Sequence, residues 1–270
     1  MERPVLVSWL GGEPLLWPIL SQASEIVKSC GLSLAITTNG IELSDLIKRR
    51  LLLEQYNEVT ISLDIEKGTH DTFRGKNCFD LVFSNISTLV KERNKNQSSL
   101  KIRVNSILMA DNVRYLSTFI ESLNSIGVDE VTFNELGGIE RPEFWLAHRL
   151  KNHHLEIIKS ELKKSQAFDI KVKLPPTYFS RMLATANETK LSVKNCMACT
   201  DFLFIHENGK ISPCTFTNDC SGYLNTDITS SENLQMIQKN FQAMNTKLIV
   251  DGPCSDCKST FNFGKFNADQ

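Results

Sequence analysis

The sequence has little of what marks a membrane protein, a secreted protein or a nucleic-acid-binding protein. No apolar run approaches the roughly 20 residues that a bilayer span requires, and residues 1–14 contain no basic segment followed by an apolar one. Its 30 Lys and Arg are interspersed with 31 Asp and Glu, so the net charge is −1 and no basic cluster stands out. We therefore expect a cytoplasmic protein that binds neither nucleic acid nor a membrane.

The chain is long enough for a sizeable core, and it is rich in cysteine. Its 270 residues suit one large domain or two smaller ones, and 41% of them are hydrophobic. Disulfides are rare in the cytosol, where thiols stay reduced. The eight cysteines therefore need another explanation, and metal binding is the first to consider.

Strand-like and helix-like segments alternate over about the first 175 residues. Predicted strands are 4–9, 32–40, 58–64, 100–109 and 128–136. Predicted helices are 18–30, 42–54, 79–92 and one that begins at 111 or 112. This alternation predicts βαβ units and a parallel sheet of five or six strands, either open or closed into a partial barrel.

Glycine and polar residues recur where the predicted strands end. They are Gly11, Gly12 and Glu13 after the first strand, Asn39 and Gly40 after the second, Asp64 at the third, and Gly137 and Gly138 after the fifth. The carboxyl ends of parallel strands form one edge of the sheet, which is where ligands bind in such folds. We therefore expect these residues to form a site.

The pattern changes after about residue 185, so we predict two domains, 1–185 and 186–270. Residues 202–214 read as a hairpin with Asn208-Gly209 as a two-residue turn. A helix at about 231–243 separates this hairpin from the last two cysteines.

Five cysteines of the second domain have the spacing of metal ligands. Cys196 and Cys199 form one CxxC, Cys254 and Cys257 form another, and Cys214 lies on the hairpin. A CxxC places two sulfurs at neighbouring corners of a tetrahedral site. Zinc and iron–sulfur sites share thiolate ligands, so the spacing alone leaves both open. The role of Cys220 is also open.

Four short motifs, each at a predicted strand end, resemble those of radical S-adenosylmethionine enzymes. Gly11-Gly12-Glu13-Pro14 resembles the GGEP motif, which binds the amino group of the cofactor's methionine moiety in that family. Thr38-Asn39-Gly40 resembles the TNG turn. Ser62-Leu63-Asp64, followed by His70-Asp71 and Arg74-Gly75, resembles the SLD…HDxxRG stretch. The resemblance implies that S-adenosylmethionine is bound by a set of seven residues, in which Ser62 contacts the cofactor and Arg74 its carboxylate. The set is Gly11, Gly12, Glu13, Asn39, Ser62, Asp64 and Arg74.

The C-terminal part resembles the SPASM or twitch extension of the same family. Nine residues separate Cys199 from Gly209, and four separate Gly209 from Cys214, which matches the spacing of that extension. Two further cysteines of a full SPASM domain are absent after Cys257. The resemblance therefore implies one auxiliary [4Fe–4S] cluster, held by Cys199, Cys214, Cys254 and Cys257.

The chain departs from the family in one respect: it contains no CxxxCxxC, the motif that carries the catalytic cluster. We therefore expect an α/β fold that is an incomplete (β/α) partial barrel, lacking its first strand and cluster loop, with a small cysteine-rich domain. Such a chain is either a fragment of a longer protein or a pseudo-enzyme.

By resemblance, the function is hydrogen abstraction from a substrate. A peptide is the first expectation, and a carbohydrate or other small molecule the second. An electron-donor protein is an expected partner. The alternative is a non-catalytic protein that binds an iron–sulfur cluster or zinc.

Overall fold

The computed structural model describes residues 6–137, 141, 143–194, 196–198, 201–207, 209, 211–216, 235–236, 239–241, 243, 249–250, 252–260 and 262–263. The chain divides into two compact units. Unit 1 comprises residues 1–136 and 153–173, and unit 2 comprises residues 137–152 and 174–270. Cys199, Cys220, Asn208, Gly138 and most of the predicted helix at 231–243 lie outside the described residues.

Unit 1 is built on a six-stranded sheet in which neighbours along the chain are neighbours in space. The order is β1-β2-β3-β4-β5-β6, and every pairing is parallel. The strands are β1 (Leu6–Trp9), β2 (Ser33–Thr38), β3 (Glu58–Ser62), β4 (Lys101–Leu108), β5 (Glu130–Glu135) and β6 (Lys171–Lys173). Because each connection contains a helix, the predicted βαβ arrangement is present.

The helices of unit 1 are α1 (Leu20–Ser29), α2 (Leu46–Gln55), α3 (Lys67–Arg74), α4 (Cys78–Lys95), α5 (Leu116–Ile126) and α7 (Asn152–Lys164, whose first residue belongs to unit 2). α4 buries Val82, Ile86, Leu89 and Val90, which share one face at helical spacing. α2 begins later than predicted because Asp45 caps it: the Asp45 Oδ1 accepts a hydrogen bond from the Ile47 N–H at 2.7 Å.

The sheet has an apolar face under the helices and a polar face opposite. Val59 and Ile61 of β3 are fully buried, while the alternating Glu58, Thr60 and Ser62 lie on the other face. We call this second face the inner face. The register aligns Ser62 with Asn105 of β4.

The inner face carries a buried ionic network near the amino ends of the strands. Arg103 of β4, 4% exposed, binds both Glu58 oxygens, at 2.5 and 2.9 Å. It also pairs with Glu130, which is fully buried. Lys101 and Lys173 lie 2.8 and 3.5 Å from the same Glu130 carboxylate. Burial alone would raise the pKa of Glu130, but Lys101 and Arg103 hold it below its usual range.

Unit 2 contains α6 (Trp145–His148), α8 (Pro176–Ala186) and the antiparallel pair β7 (Phe204–Ile205) and β8 (Ile211–Ser212). The predicted hairpin is therefore present, but its two-residue turn is wrong. Ile205 pairs with Ile211, which leaves five residues between the strands, because the Gly209 N–H closes the turn on the His206 carbonyl at 2.9 Å.

Among the described residues, no helix is both long and apolar enough to cross a membrane.

Candidate functional site

The predicted site residues of unit 1 follow three adjacent parallel strands. Gly11, Gly12 and Glu13 come after β1, Asn39 after β2, and Asp64 after β3, while Ser62 is the last residue of β3. Because the three strands are parallel and paired in order, these residues lie along the carboxyl edge of the sheet. Hydrogen bonds connect them across strand boundaries.

Glu13 joins the end of β1 to the end of β2. Its Oε1 accepts hydrogen bonds from the Thr38 hydroxyl at 2.7 Å and the Leu15 N–H at 3.1 Å. Its Oε2 accepts one from the Asn39 N–H at 2.7 Å. A carboxylate oxygen accepts about two hydrogen bonds, so Oε2 retains capacity for a further donor such as an ammonium group.

Gly11 and Gly12 form an open turn just before Glu13. Their φ angles are +93° and +53°, in the left-handed region that favours glycine, and a Cβ at either position would meet no atom within 4 Å. Glycine therefore suits the left-handed backbone conformation of this turn, and no neighbouring atom crowds either position.

The turn after β2 has the opposite character, because it is closely surrounded. Gly40 has φ +80°, and a Cβ there would lie 2.8 Å from Ile61 Cγ2 and 2.9 Å from Val82 Cγ1. Asn39 Oδ1 accepts from the Ile41 N–H at 2.9 Å, and Asn85 of α4 donates to the Gly40 carbonyl at 2.9 Å. The turn is thus fixed from both sides.

Asp64 and Arg74 form a partly buried ion pair at the end of β3. Asp64 is 1% exposed, and its Oδ2 lies 2.5 Å from Arg74 Nε while its Oδ1 accepts from the Ile107 N–H at 3.0 Å. His70 Nδ1 lies 3.3 Å from Asp64 Oδ2. Burial alone would raise the pKa of Asp64, but His70, Arg74 and the Ile107 N–H hold it below its usual range.

Arg74 keeps donors for a ligand in spite of this pairing. Asp64 takes the Nε edge of the guanidinium, with Nη2 3.4 Å from Oδ1. The Arg74 side chain is 27% exposed. Because a guanidinium has five N–H donors in a fixed fork, the Nη1 group remains available for a carboxylate.

The sequence did not predict the structural roles of three residues at this edge. Thr38 was noted as part of the TNG turn, but its bond to Glu13 was not predicted. His70 was noted only within a motif, yet it is fully buried beside Asp64. Asn85 gave no signal, because a single Asn in an amphipathic helix reads as a solvent-facing residue.

In unit 2, four cysteines line one cavity: Cys196, Cys214, Cys254 and Cys257. Three of them were predicted as ligands; Cys196 was not, and the predicted Cys199 lies outside the described residues. Burial raises the pKa of the Cys214 thiol to about 11; the Phe216 N–H opposes this rise and the Cys257 and Cys196 sulfurs add to it.

This donor set suits a thiolate-bound group. No three His, Cys, Asp or Glu side chains among the described residues are arranged to hold a single metal ion. A tetrahedral ion with sulfur bonds of about 2.3 Å holds its sulfurs about 3.8 Å apart. In a [4Fe–4S] site each thiolate binds a different iron, so the sulfurs lie farther apart. Thiolates are ligands of both zinc and iron–sulfur sites, so the donor chemistry of this cavity fits either group.

Comparisons with known proteins identify what the chain resembles. No protein-family model matches it. The AdoMet-dependent heme synthase of Methanosarcina barkeri is 22% identical over an alignment of 238 residues, which covers 79% of this chain and 63% of that protein. The chain thus spans less than two thirds of this curated relative.

Solved structures give the same result at the level of fold. Streptococcus suis SuiB bound to S-adenosylmethionine has a TM-score of 0.62 at 16% identity, covering 94% of this chain and 61% of SuiB. The anSMEcpe structure with bound AdoMet has a TM-score of 0.59 at 16% identity, covering 96% and 73%. The chain resembles radical S-adenosylmethionine enzymes, and the predicted α/β partial-barrel fold is confirmed.

Proposed function

We propose that this chain carries the S-adenosylmethionine-binding edge and an auxiliary [4Fe–4S] domain of a radical S-adenosylmethionine enzyme. One observation carries the first half of the proposal. The carboxyl edge of the sheet holds a carboxylate with acceptor capacity, Glu13, and a guanidinium with free donors, Arg74. These two groups complement the ammonium and carboxylate of an amino acid.

Each residue of the edge has a distinct task. Gly11 and Gly12 let the backbone approach the cofactor's methionine moiety, and Glu13 accepts from its ammonium. Arg74 donates to its carboxylate, and the hydroxyl of Ser62, the last residue of β3, contacts the cofactor. Asn39 shapes the turn that holds Glu13. Held by these residues beside a reduced [4Fe–4S] cluster, S-adenosylmethionine would supply the chemistry of hydrogen abstraction from a substrate.

Asp64 acts through Arg74 instead of touching the cofactor. Its side chain is 1% exposed and its oxygens already contact Arg74, His70 and the Ile107 N–H. A buried carboxylate with these contacts fixes the direction of the guanidinium. It is therefore a positioning residue in this proposal.

For unit 2 we propose a [4Fe–4S] cluster bound by Cys214, Cys254 and Cys257 with a fourth thiolate from the Cys196–Cys199 pair. Support comes from the cavity that four of these cysteines line. The resemblance to the twitch extension implies that Cys199 supplies the fourth thiolate, and this assignment stays a prediction. Zinc in place of the cluster is an outcome that metal analysis would reveal.

The proposed substrate is a peptide, and an electron-donor protein is the proposed partner. The substrate proposal rests on a structure of SuiB bound to its precursor peptide SuiA, which matches with a TM-score of 0.57 at 16% identity over 94% of this chain. Small molecules are the second substrate class.

A second candidate function is a protein that binds a metal group but makes no radical, and the cavity lined by four cysteines supports it. Such a protein retains the cysteine cavity but has no use for the Glu13 and Arg74 edge. Binding of S-adenosylmethionine at that edge therefore distinguishes the two.

The test is the affinity for S-adenosylmethionine after anaerobic reconstitution with iron and sulfide. We expect Arg74→Ala to weaken binding about 10- to 100-fold, since a hydrogen bond to a charged group is worth about 1.5–3 kcal/mol. Arg93→Ala is the matched control, because Arg93 is also ion-paired, but to Asp129, which precedes β5 at the amino ends of the strands. Equal affinity in Arg74→Ala and the unmodified chain, or no binding at millimolar cofactor, contradicts the proposal.

A further inference from the structure

The side chain of Asn262 connects the two cysteine segments of unit 2. Its Nδ2 lies 3.4 Å from Cys196 Sγ and 3.9 Å from Cys257 Sγ. Its Oδ1 accepts a hydrogen bond from the Met197 N–H at 3.0 Å. One half-buried amide thus contacts a ligand candidate in each segment.

The Met197 contact fixes which way the amide faces. Because Oδ1 is held by a backbone donor, the planar amide must direct its Nδ2 donors toward the sulfurs. A neutral thiol is a weak acceptor, whereas a thiolate accepts a charge-assisted hydrogen bond that is about twice as strong. The arrangement therefore stabilises sulfurs that are deprotonated by binding iron.

Cys196 has the position of a ligand in the cavity. It lines the same cavity as Cys214, Cys254 and Cys257. Together these four cysteines can supply the four thiolates that a [4Fe–4S] cluster binds.

We propose that Asn262 is a positioning residue for the proposed cluster, which donates to the Cys196 and Cys257 thiolates and raises the reduction potential of the cluster. This inference rests on the proposed auxiliary cluster. Reduction adds negative charge, which N–H donors to the sulfurs stabilise, so their removal favours the oxidised cluster.

The premise that Cys196 supplies the fourth thiolate is tested by iron content after anaerobic reconstitution. Cys196→Ser should lose most of the iron that the unmodified chain binds, and Cys199→Ser should retain it. The two cysteines share one CxxC, so each variant is the control for the other. Iron lost in Cys199→Ser and retained in Cys196→Ser overturns the assignment.

The donor role of Asn262 is tested by a redox titration followed by electron paramagnetic resonance. Asn262→Leu, of similar size but without a donor, should keep iron and shift the potential to a more negative value. Thr260→Val, a loss of one polar group in the same segment, should leave the potential unchanged. An unmoved potential in Asn262→Leu overturns the donor role.

Two further outcomes are decisive. If Asn262→Leu retains no iron, then Asn262→Gln is measured. Recovery of both the iron content and the reduction potential in Asn262→Gln supports the role of Asn262. An equal loss of iron in both variants overturns it. An unmodified chain that binds no iron contradicts the proposed cluster together with this inference. An iron-loaded chain whose potential Asn262 does not affect contradicts the inference alone.

Discussion

Gly40 shows how one residue fixes the turn that holds Glu13. The backbone there is left-handed, and the space for a side chain is already taken by Ile61 and Val82. We predict that Gly40→Ala lowers the free energy of unfolding by about 2–5 kcal/mol, the sum of roughly 1–2 for the backbone and 1–3 for overpacking. Urea unfolding measures it.

Gly31 provides the matched control for Gly40. Its φ is also left-handed, at +73°, but a Cβ there meets no atom within 4 Å. Gly31→Ala should therefore cost only the backbone part, about 1–2 kcal/mol. Equal losses at the two positions would show that crowding at Gly40 is unimportant.

The ion pair of Asp64 should make the free energy of unfolding depend on pH in a specific way. Its pKa is lower in the folded chain than in the unfolded chain, so its stabilisation is present above the unfolded value, about 4, and is lost as pH falls through the folded value. The difference in unfolding free energy between the wild type and Asp64→Asn should thus be largest near pH 7 and shrink below pH 4.

Thermal and urea unfolding at pH 7 and pH 3 measure this difference. Asp80→Asn is the control, because Asp80 pairs with Lys67 at an exposed position, where water and salt screen the attraction and such pairs contribute little. A gap between the wild type and Asp64→Asn that does not change with pH would contradict the buried ion pair.

At the scale of elements, an ionic network on the inner face links β3, β4 and β5 near their amino ends. Glu130 is fully buried and binds Arg103, which binds Glu58. Removing one partner leaves buried charge uncompensated, so we predict that Glu130→Gln destabilises unit 1 by about 3–5 kcal/mol. Lys101→Met, at a 37% exposed side chain, should cost about 1 kcal/mol or less. Similar losses in both variants would contradict the network.

The helices and strands were largely predictable, because apolar residues recur at the period of each element. β6 was harder: Lys171–Lys173 has one apolar residue, Val172, and its strand character comes from pairing with β5. The ionic network could not be predicted, because it depends on the register that aligns Arg103 with Thr60 and Glu130.

At the scale of the whole molecule, the motifs located the candidate site but not the partners of its residues. Chain order predicted that Glu13, Asn39 and Asp64 meet at one edge, since parallel strands end together. The pairing of Arg74 with Asp64 depends on how α3 returns to the end of β3, and no spacing rule gives it. Likewise, spacing allowed either Cys196 or Cys199; Cys196 lines the cavity, and Cys199 lies outside the described residues.

The central claim is that the carboxyl edge of β1–β3 binds the methionine part of S-adenosylmethionine. Its most direct test is a nuclear magnetic resonance titration of the ¹⁵N-labelled chain with millimolar cofactor, which detects weak binding. We predict chemical-shift changes at the amides of Gly11, Gly12 and Asn39 and at the Arg74 side chain. 5′-Methylthioadenosine, which lacks the amino and carboxylate groups, should not reproduce the Arg74 change. Shifts confined to other parts of the chain, or the same Arg74 change with both ligands, would contradict the account.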